Sequence, residues 1–333
     1  MHQSGQEFLV GTEDNGRRVD KILRIALPEL SLSLIHRLLR TGKIRLNDQK
    51  TSAAERVAPG DRLLVNCRAA SASQLAAAGK HWQARRQPES LPPAAAGQAG
   101  ANALTDLILY ENDDLVFVNK PKGLLTHGPD GLDNLAAAYL ATKVSQSLAF
   151  RPAPLHRLDR NTSGLLAISA SLRGAQLFSA ALAAGQLRKS YLALLDGQLD
   201  GEATWSNRLA RDSQSRQTRV TSDGHGQLAT SRVTSLASTA THTLAHVVIE
   251  SGRTHQIRVQ CAAHGHPLSG DCKYGGSALP GGYLLHAWKL QFPAGLELAL
   301  PATLVAPLPL AFRQALAQQF DCIIEQNCPF LLD

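Results

Sequence analysis

The chain has 333 residues, 44% of them hydrophobic and 5% aromatic, with a formal net charge of +7. That length and apolar content support more than one hydrophobic core. No apolar run approaches the roughly 18 residues of a membrane span, and the N-terminus lacks the basic start and apolar core of a secretory signal. The five cysteines (Cys67, Cys261, Cys272, Cys322, Cys328) have no CxxC spacing, which points to reduced thiols in a cytoplasm.

The charge is unevenly placed. Residues 15–68 hold 12 Lys/Arg against 5 Asp/Glu, whereas the remainder holds 22 of each. A basic module joined to a neutral body suggests attachment to a polyanion. Within this module Val19, Ile22, Leu23 and Ala26 fall at helical spacing and Pro28 follows them. Ser31 or Ser33 can cap a second helix whose apolar face is Leu34, Ile35, Leu38 and Leu39, with Gly42 as its stop. Arg37, Arg40 and Lys43 lie off that face. "KIRLND" reads as strand and turn, and "PGDRLLV", Pro59–Val65, as turn and strand. Residues 69–103 are rich in Ala, Pro and Gly and read as a linker; its patch "KHWQARR", Lys80–Arg86, is a solvated stretch or a minor contact to the polyanion.

From Leu104 the chain reads as a globular domain ending near 325. "DLVFVNKPKG" is a strand running into a turn, without the glycine spacing of a phosphate or dinucleotide loop. "GLLAISA" is a strand, and "SLRGAQLFSAALAAGQ" a helix traced by Leu172, Ala175, Gln176 and Ser179. "KSYLALLDG" is a strand; "ATSRVTSLAS" and "THTLAHVVIES" form an antiparallel pair. "RTHQIRVQCAAHG" has helical periodicity through Ile257, Cys261 and His264, and "YLLHAWKLQF" is a further strand. Helices interrupting mainly antiparallel strands make the class α+β: a mixed, mainly antiparallel sheet in the large domain plus a small basic α+β domain.

The chemistry centres on "PLHRLDRNTSGLLAIS", Pro154–Ser169. Asp159 sits between Arg157 and Arg160, ahead of an Asn-Thr-Ser-Gly turn that permits irregular backbone. A structural ion pair is the plain reading of an isolated "RLDR". A second arginine motif, "GRTHQIR", is available to pair with it, and a carboxylate held by an arginine stays ionised, as a nucleophile or electrostatic stabiliser needs. Glycoside hydrolysis would need a second matching carboxylate; the nearest, Asp271 in "PLSGDCKYGG", reads as a turn residue. Cys261, His264, His266 and Cys272 are close in sequence but fit no zinc spacing, so no metal is expected.

"HRLDRNTSGLL", "RKSYLALLDG", "GRTHQIRVQ", "HPLSGDCKYGG" and "LLHAWKL" occur in the order seen in the RluA family of pseudouridine synthases, which the chain resembles from Leu104 to its C-terminal region. "LTDLILYENDDLVFVNKPKGLLTHG" resembles that family's entry into its catalytic domain. "RRVDKIL", "LIHRLLRTGKIRLND" and "PGDRLLV" resemble the alpha-L RNA-binding module of a ribosomal protein. With that module in front, and with "THGPDGL", the chain is most similar to the RluC-like branch acting on large-subunit ribosomal RNA.

The resemblance implies isomerisation of uridine to pseudouridine without cofactor, metal or energy source. It implies Asp159 as the catalytic group, acting on the sugar either by attacking the anomeric carbon or by removing a neighbouring proton. The base must first leave the stack. Arg157 would fill the vacated space or hold phosphate. Tyr191 would pack on the base and assist proton transfer, Arg258 would pair with Asp159, and Leu285 would wall the uracil pocket. From the residues alone, Tyr191 and Leu285 read as ordinary sheet packing. In the alpha-L module, Arg37, Arg40, Lys43 and Arg45 would meet RNA. The implied partner is ribosomal RNA or a pre-ribosomal particle, met by a cytoplasmic monomer with no membrane. The linker and the segment "FPAGLELALPATLVAPLP" depart from the family pattern, and no site is expected there. An RNA-binding assembly factor with a dead core, and a glycosylase releasing the base, are the competing readings. The first would lack Asp159, Tyr191 or Arg258; the second would leave an abasic ribose.

Overall fold

A computed structural model describes residues 6–66, 103–141, 143, 147–212, 217–221 and 225–320. Apart from Ala103, the linker read at 69–103 lies outside them, as do Cys67, Cys322 and Cys328. The described residues form two compact units, and among them no helix is long and apolar enough to cross a membrane.

The small unit is a four-stranded antiparallel sheet with the order β1 (Gln6–Leu9), β4 (Arg62–Val65), β2 (Ile44–Leu46), β3 (Gln49–Lys50). Two helices accompany it, α1 (Val19–Ala26) and α2 (Leu32–Arg40). Val19, Ile22, Leu23 and Ala26 are the buried stripe of α1, as the spacing predicts. Ser31, rather than Ser33, caps α2 by accepting the Leu34 N–H at 3.3 Å. Gly42 leaves the helix with φ 66°, a left-handed conformation that glycine adopts freely. Asn47 and Asp48 both have positive φ, as a two-residue type I′ hairpin requires.

This unit extends beyond residues 15–68. Phe8 and Val10 are in its core, and so is Leu148. Residues 134–153, which the sequence groups with the larger domain, cluster with this unit instead. The anchor is Asp14, fully buried, whose carboxylate accepts the N–H groups of Leu148 (2.7 Å) and Ala149 (3.1 Å) and the hydroxyl of Ser147 (2.7 Å). Burying a carboxylate is tolerable only when its lone pairs are taken in this way.

The large unit is a single mixed sheet. Its order is β10 (Thr218–Thr221), β9 (Glu202–Arg211), β11 (Gln227–Ser238), β12 (His242–Ile249), β8 (Arg188–Asp196), β13 (Leu285–Gln291), β7 (Ser163–Ser169), β6 (Leu115–Lys120), β5 (Ile108–Glu111); β14 (Thr303–Val305) adds to β13. Every pairing is antiparallel except β7 with β13. The predicted pair β11–β12 forms, with Val233 opposite Val247.

Helix α4 (Leu172–Ala183) forms where predicted, but its buried stripe is Gly174, Phe178 and Ala181. Gln176 and Ser179 face outward because Phe178 is the side chain that packs with Phe117 and Leu165. Helix α6 (Leu310–Phe320) covers a second patch, with Phe312, Leu316 and Phe320 against Leu192, Leu194 and Leu244. Helix α3 (Leu132–Leu140) lies mostly in the stretch that clusters with the small unit, and α5 (Gln256–Ala263) follows β12 in the large one.

Candidate active site

The loop carrying Asp159 is fixed from three sides. Pro154 bridges to Ile168 on β7, and the Ala167 N–H donates to His156 Nε2 at 3.1 Å. Burial, aided by the charge of Lys189, lowers the His156 pKa to about 4, so the ring is neutral and free to accept. Thr126 both donates to the Leu158 carbonyl (2.9 Å) and accepts the Leu158 N–H (3.2 Å). Beyond the aspartate, the wholly buried Lys120 ammonium donates to the carbonyls of Pro121, Leu124 and Arg160 at 2.9–3.2 Å. Burial lowers its pKa to about 8, against the opposing pull of Asp159. The Asn-Thr-Ser-Gly turn then enters β7 at Gly164. A Cβ there would stand 2.2 Å from the Ala287 carbonyl oxygen, so the parallel β7–β13 contact requires glycine.

Helix α5 brings the second half of the site. Beside the apolar packing of Val259 on Leu209 and Ala229, buried amides attach it to the sheet. Gln256 donates to the Thr230 carbonyl (3.1 Å), and Gln260 donates to the carbonyls of Trp205 (3.1 Å) and Ala229 (3.0 Å) while accepting the Ser231 hydroxyl (2.7 Å). This network aims Arg258 from the first turn of α5, and His255 from the left-handed N-cap position before it, at the Asp159 carboxylate.

Arg258 does not have Asp159 as its main partner. Its Nε and Nη2 form a fork on Asp271, at 2.7 and 2.8 Å, and only Nη1 reaches Asp159 Oδ2, at 3.4 Å. Asp271 is thus more than a turn residue: it is 2% exposed and pinned by the guanidinium. Such bidentate pairs are the strong, orienting kind. The Tyr274 and Tyr283 rings flank the guanidinium, 4.9 and 4.4 Å from its carbon. Burial works against the arginine's charge, but the hydrogen bonds to Asp271 and the surrounding negative charge outweigh it and raise its pKa.

His255 Nε2 lies 3.7 Å from the same Asp159 Oδ2. Tyr191, on β8 opposite Ala287, is 8% exposed; burial first, and Asp159 second, push its phenol pKa upward, so the hydroxyl keeps its proton. A cavity of about 70 Å³ opens here, lined among others by Arg157, Asp159, Tyr191, His255, Arg258 and Leu285. The five positions singled out in the large domain therefore meet in one place, with Arg157 exposed at the rim and Leu285 buried. Arg37, Arg40, Lys43 and Arg45 lie in the small unit and are all exposed.

The sequence reading took Asp271 for a turn residue and passed over His255, Tyr274, Tyr283 and Lys120. The spacing of His255 from Arg258 was the available signal. The rest needed the tertiary arrangement. Among the described residues no cluster of His, Cys, Asp or Glu could hold a metal ion; Cys261 is wholly buried and His264 instead stacks on Trp205 at 4.7 Å.

Residues 114–263 match the family model described as RNA pseudouridylate synthase. A ribosomal large subunit pseudouridine synthase C from Escherichia coli strain K12 is 30% identical over 274 residues, 80% of this chain and 78% of that protein. One from Vibrio vulnificus is 27% identical over 318 residues, 93% of this chain and 92% of that one. The solved structure of human RNA pseudouridylate synthase domain containing 4 aligns with a TM-score of 0.55 at 23% identity, over 67% of this chain and 96% of its own, and so shares the fold. Fold and matches together define an intramolecular isomerase of the pseudouridine synthase class. Within that class the chain belongs to the RluA family, and it is RluC-like.

Proposed function

We propose that this enzyme isomerises particular uridines of large-subunit ribosomal RNA, with Asp159 as the catalytic group. The observation that carries the assignment is the placement of Asp159 in a cavity, its carboxylate approached by two cationic or hydrogen-bearing groups, Arg258 and His255. The RNA assignment follows from the relatives named for the ribosomal large subunit.

The reaction breaks the N1–C1′ glycosidic bond, turns the uracil and forms a C5–C1′ bond. One proton leaves C5 and one is gained at N1, so nothing is oxidised and no atom is lost. Asp159 meets the ribose, attacking C1′ or removing the neighbouring C2′ proton, and needs an unprotonated lone pair for either. The target base is flipped out of its stack. Arg157, exposed at the rim, occupies the vacated space or holds a phosphate. Tyr191 packs on the base and offers a protonated hydroxyl beside the migrating ring, and Leu285 forms the aliphatic wall. Arg258, held by Asp271, keeps Asp159 in place.

The small unit supplies affinity. Its α2 and following loop present Arg37, Arg40, Lys43 and Arg45 in the manner of an alpha-L module. Residues 15–68 form the heart of that RNA-binding domain, and 104–325, less the 134–153 stretch that clusters with the small unit, form the catalytic domain, with 69–103 between them. The enzyme acts as a cytoplasmic monomer on ribosomal RNA or a pre-ribosomal particle. Tritium release from large-subunit RNA labelled at uracil C5, with pseudouridine mapping in a deletion strain, tests the reading. Release matched by mapped sites that vanish on deletion is expected. Base release leaving abasic ribose, or no release, would overturn it.

A further inference from the structure

His255 is used by nothing in the scheme above beyond its nearness to Asp159, yet its surroundings are specific. It has φ 56° and ψ 20°, a left-handed conformation uncommon for a non-glycine residue, at the entrance to α5. Its Nδ1 is 2.7 Å from the Tyr274 hydroxyl, and that hydroxyl already accepts the Thr218 N–H of β10 at 3.1 Å. Burial first of all raises the Tyr274 pKa, so its oxygen carries a proton. The phenol hydrogen is then available to Nδ1; with Tyr274 as the donor, the neutral imidazole bears its hydrogen on Nε2, the atom facing Asp159.

Both groups that approach Asp159 go to one oxygen. His255 Nε2 is 3.7 Å and Arg258 Nη1 3.4 Å from Oδ2, while Oδ1 takes no polar contact from any described residue. Resting on the reading of Asp159 as the catalytic group, we infer that His255 is a positioning residue: with its tautomer set by Tyr274, it joins Arg258 in occupying Oδ2 and so leaves Oδ1 as the oxygen that reacts with the ribose. Attack on C1′ and removal of the C2′ proton both need one free, correctly turned lone pair. A carboxylate held only at Arg258 would rotate about its Cβ–Cγ bond and present either oxygen. The same chain makes β10 part of the active-site scaffold, through Thr218, Tyr274 and His255.

The sign of the pH effect follows from the groups around the ring: Asp159, Arg258, Lys273, Asp271 and Tyr274. Burial lowers the His255 pKa, Asp159 opposes this, Arg258 and Lys273 lower it further, and Asp271 opposes; the net shift is downward from 6.5. As pH falls through that lowered value, the ring gains a charge and binds the carboxylate as an ion pair, drawing electron density from the reacting oxygen. The rate therefore falls on the acid side.

The test is single-turnover tritium release at saturating RNA across pH, with RNA affinity and melting temperature measured for each protein. His255→Asn tolerates the left-handed backbone but is too short to reach Asp159; it should slow the reaction by about ten- to a hundredfold with affinity unchanged. His255→Gln puts an amide nitrogen near the Nε2 position. It should recover most of the rate and lose the acid limb that His255 contributes. Tyr274→Phe should fall between them, with the limb displaced. Parental rate and profile in His255→Asn would overturn the inference. So would a limb that persists unchanged in His255→Gln, a result that decides the matter even if the Asn variant does not fold. A parent enzyme that releases no tritium would instead refute the proposed function, and it is the parent that reports it.

Discussion

Asp159 stands among cations in sequence and in space, and its replacement separates chemistry from binding. Asp159→Asn keeps the shape of the side chain but supplies neither a nucleophile nor a base. Tritium release should disappear while RNA affinity persists; near-parental release from this variant would remove Asp159 from its role. Arg258→Met has a different signature. It leaves Asp271, 2% exposed, without a counter-charge, and removing one partner of a buried pair costs about 3–5 kcal/mol. Denaturant unfolding and single-turnover rates should therefore fall together, and an unchanged melting temperature would place the weight of the fork elsewhere. The sequence made Asp159, Arg157, Tyr191, Arg258 and Leu285 visible because they stand in ordered motifs. It concealed Asp271 because a carboxylate in "SGD" is written like any turn aspartate. Only the fold shows that it lies within 3 Å of a guanidinium on another element.

At the level of elements, the loop is only as well placed as the strand it enters. Gly164, with φ 110°, touches Ala287 where β7 meets β13. Gly164→Ala combines backbone strain with a collision against main chain and should cost about 3 kcal/mol or more. Thermal unfolding checks it; a parental melting temperature would mean that the two strands separate freely. In the same β7–β13 pairing, opposite Ser163, His286 is wholly buried and paired with the Ser163 hydroxyl (2.8 Å) and the Ala306 carbonyl (3.2 Å). Burial lowers its pKa to about 4. A base whose folded pKa is depressed contributes stability that is present above its unfolded value near 6.5 and is lost as pH falls toward 4. The stability advantage of the parent over His286→Gln should accordingly shrink by roughly 3 kcal/mol across that window, as read by denaturant melts at pH 7 and pH 4. A difference constant with pH would show that the imidazole titrates normally. Strands with β-rich runs, such as β6, β8, β11, β12 and β13, were legible from pattern alone. β9 and β10 were not: the polar stretch "EATWSNRLAR" buries only Trp205 and Leu209, too few for alternation to stand out. Helix α6 was missed for the opposite reason, since the prolines before it drew attention away from Phe312, Leu316 and Phe320.

On the scale of the whole molecule, charge and chemistry occupy different stretches of chain. Replacing Arg37, Arg40, Lys43 and Arg45 together by Gln should weaken RNA binding and flatten its salt dependence by up to about 3–4 units of log–log slope, if each side chain meets one phosphate. The single-turnover rate at saturating RNA should hold. A salt titration of parent and variant decides it, and equal slopes would show that these four side chains face away from the RNA. The charge surplus was plain in the sequence, but the limits of the unit that carries it were not. Residues 6–10 and 134–153 join it through a strand too short to stand out and through one buried aspartate whose partners lie more than 130 positions away.

That buried aspartate has a consequence for how the chain is made. The ribosome delivers residues 6–66 first, but Leu148 and the amides that satisfy Asp14 emerge 82 or more positions later. At ordinary elongation rates the nascent small unit spends roughly 4–17 s with an open seam in its core and an unsatisfied carboxylate inside it. It can close only when much of the sequence leading to the Asp159 loop already exists. The two units are thus stitched together in time, and neither can be moved to another protein as a single uninterrupted cassette.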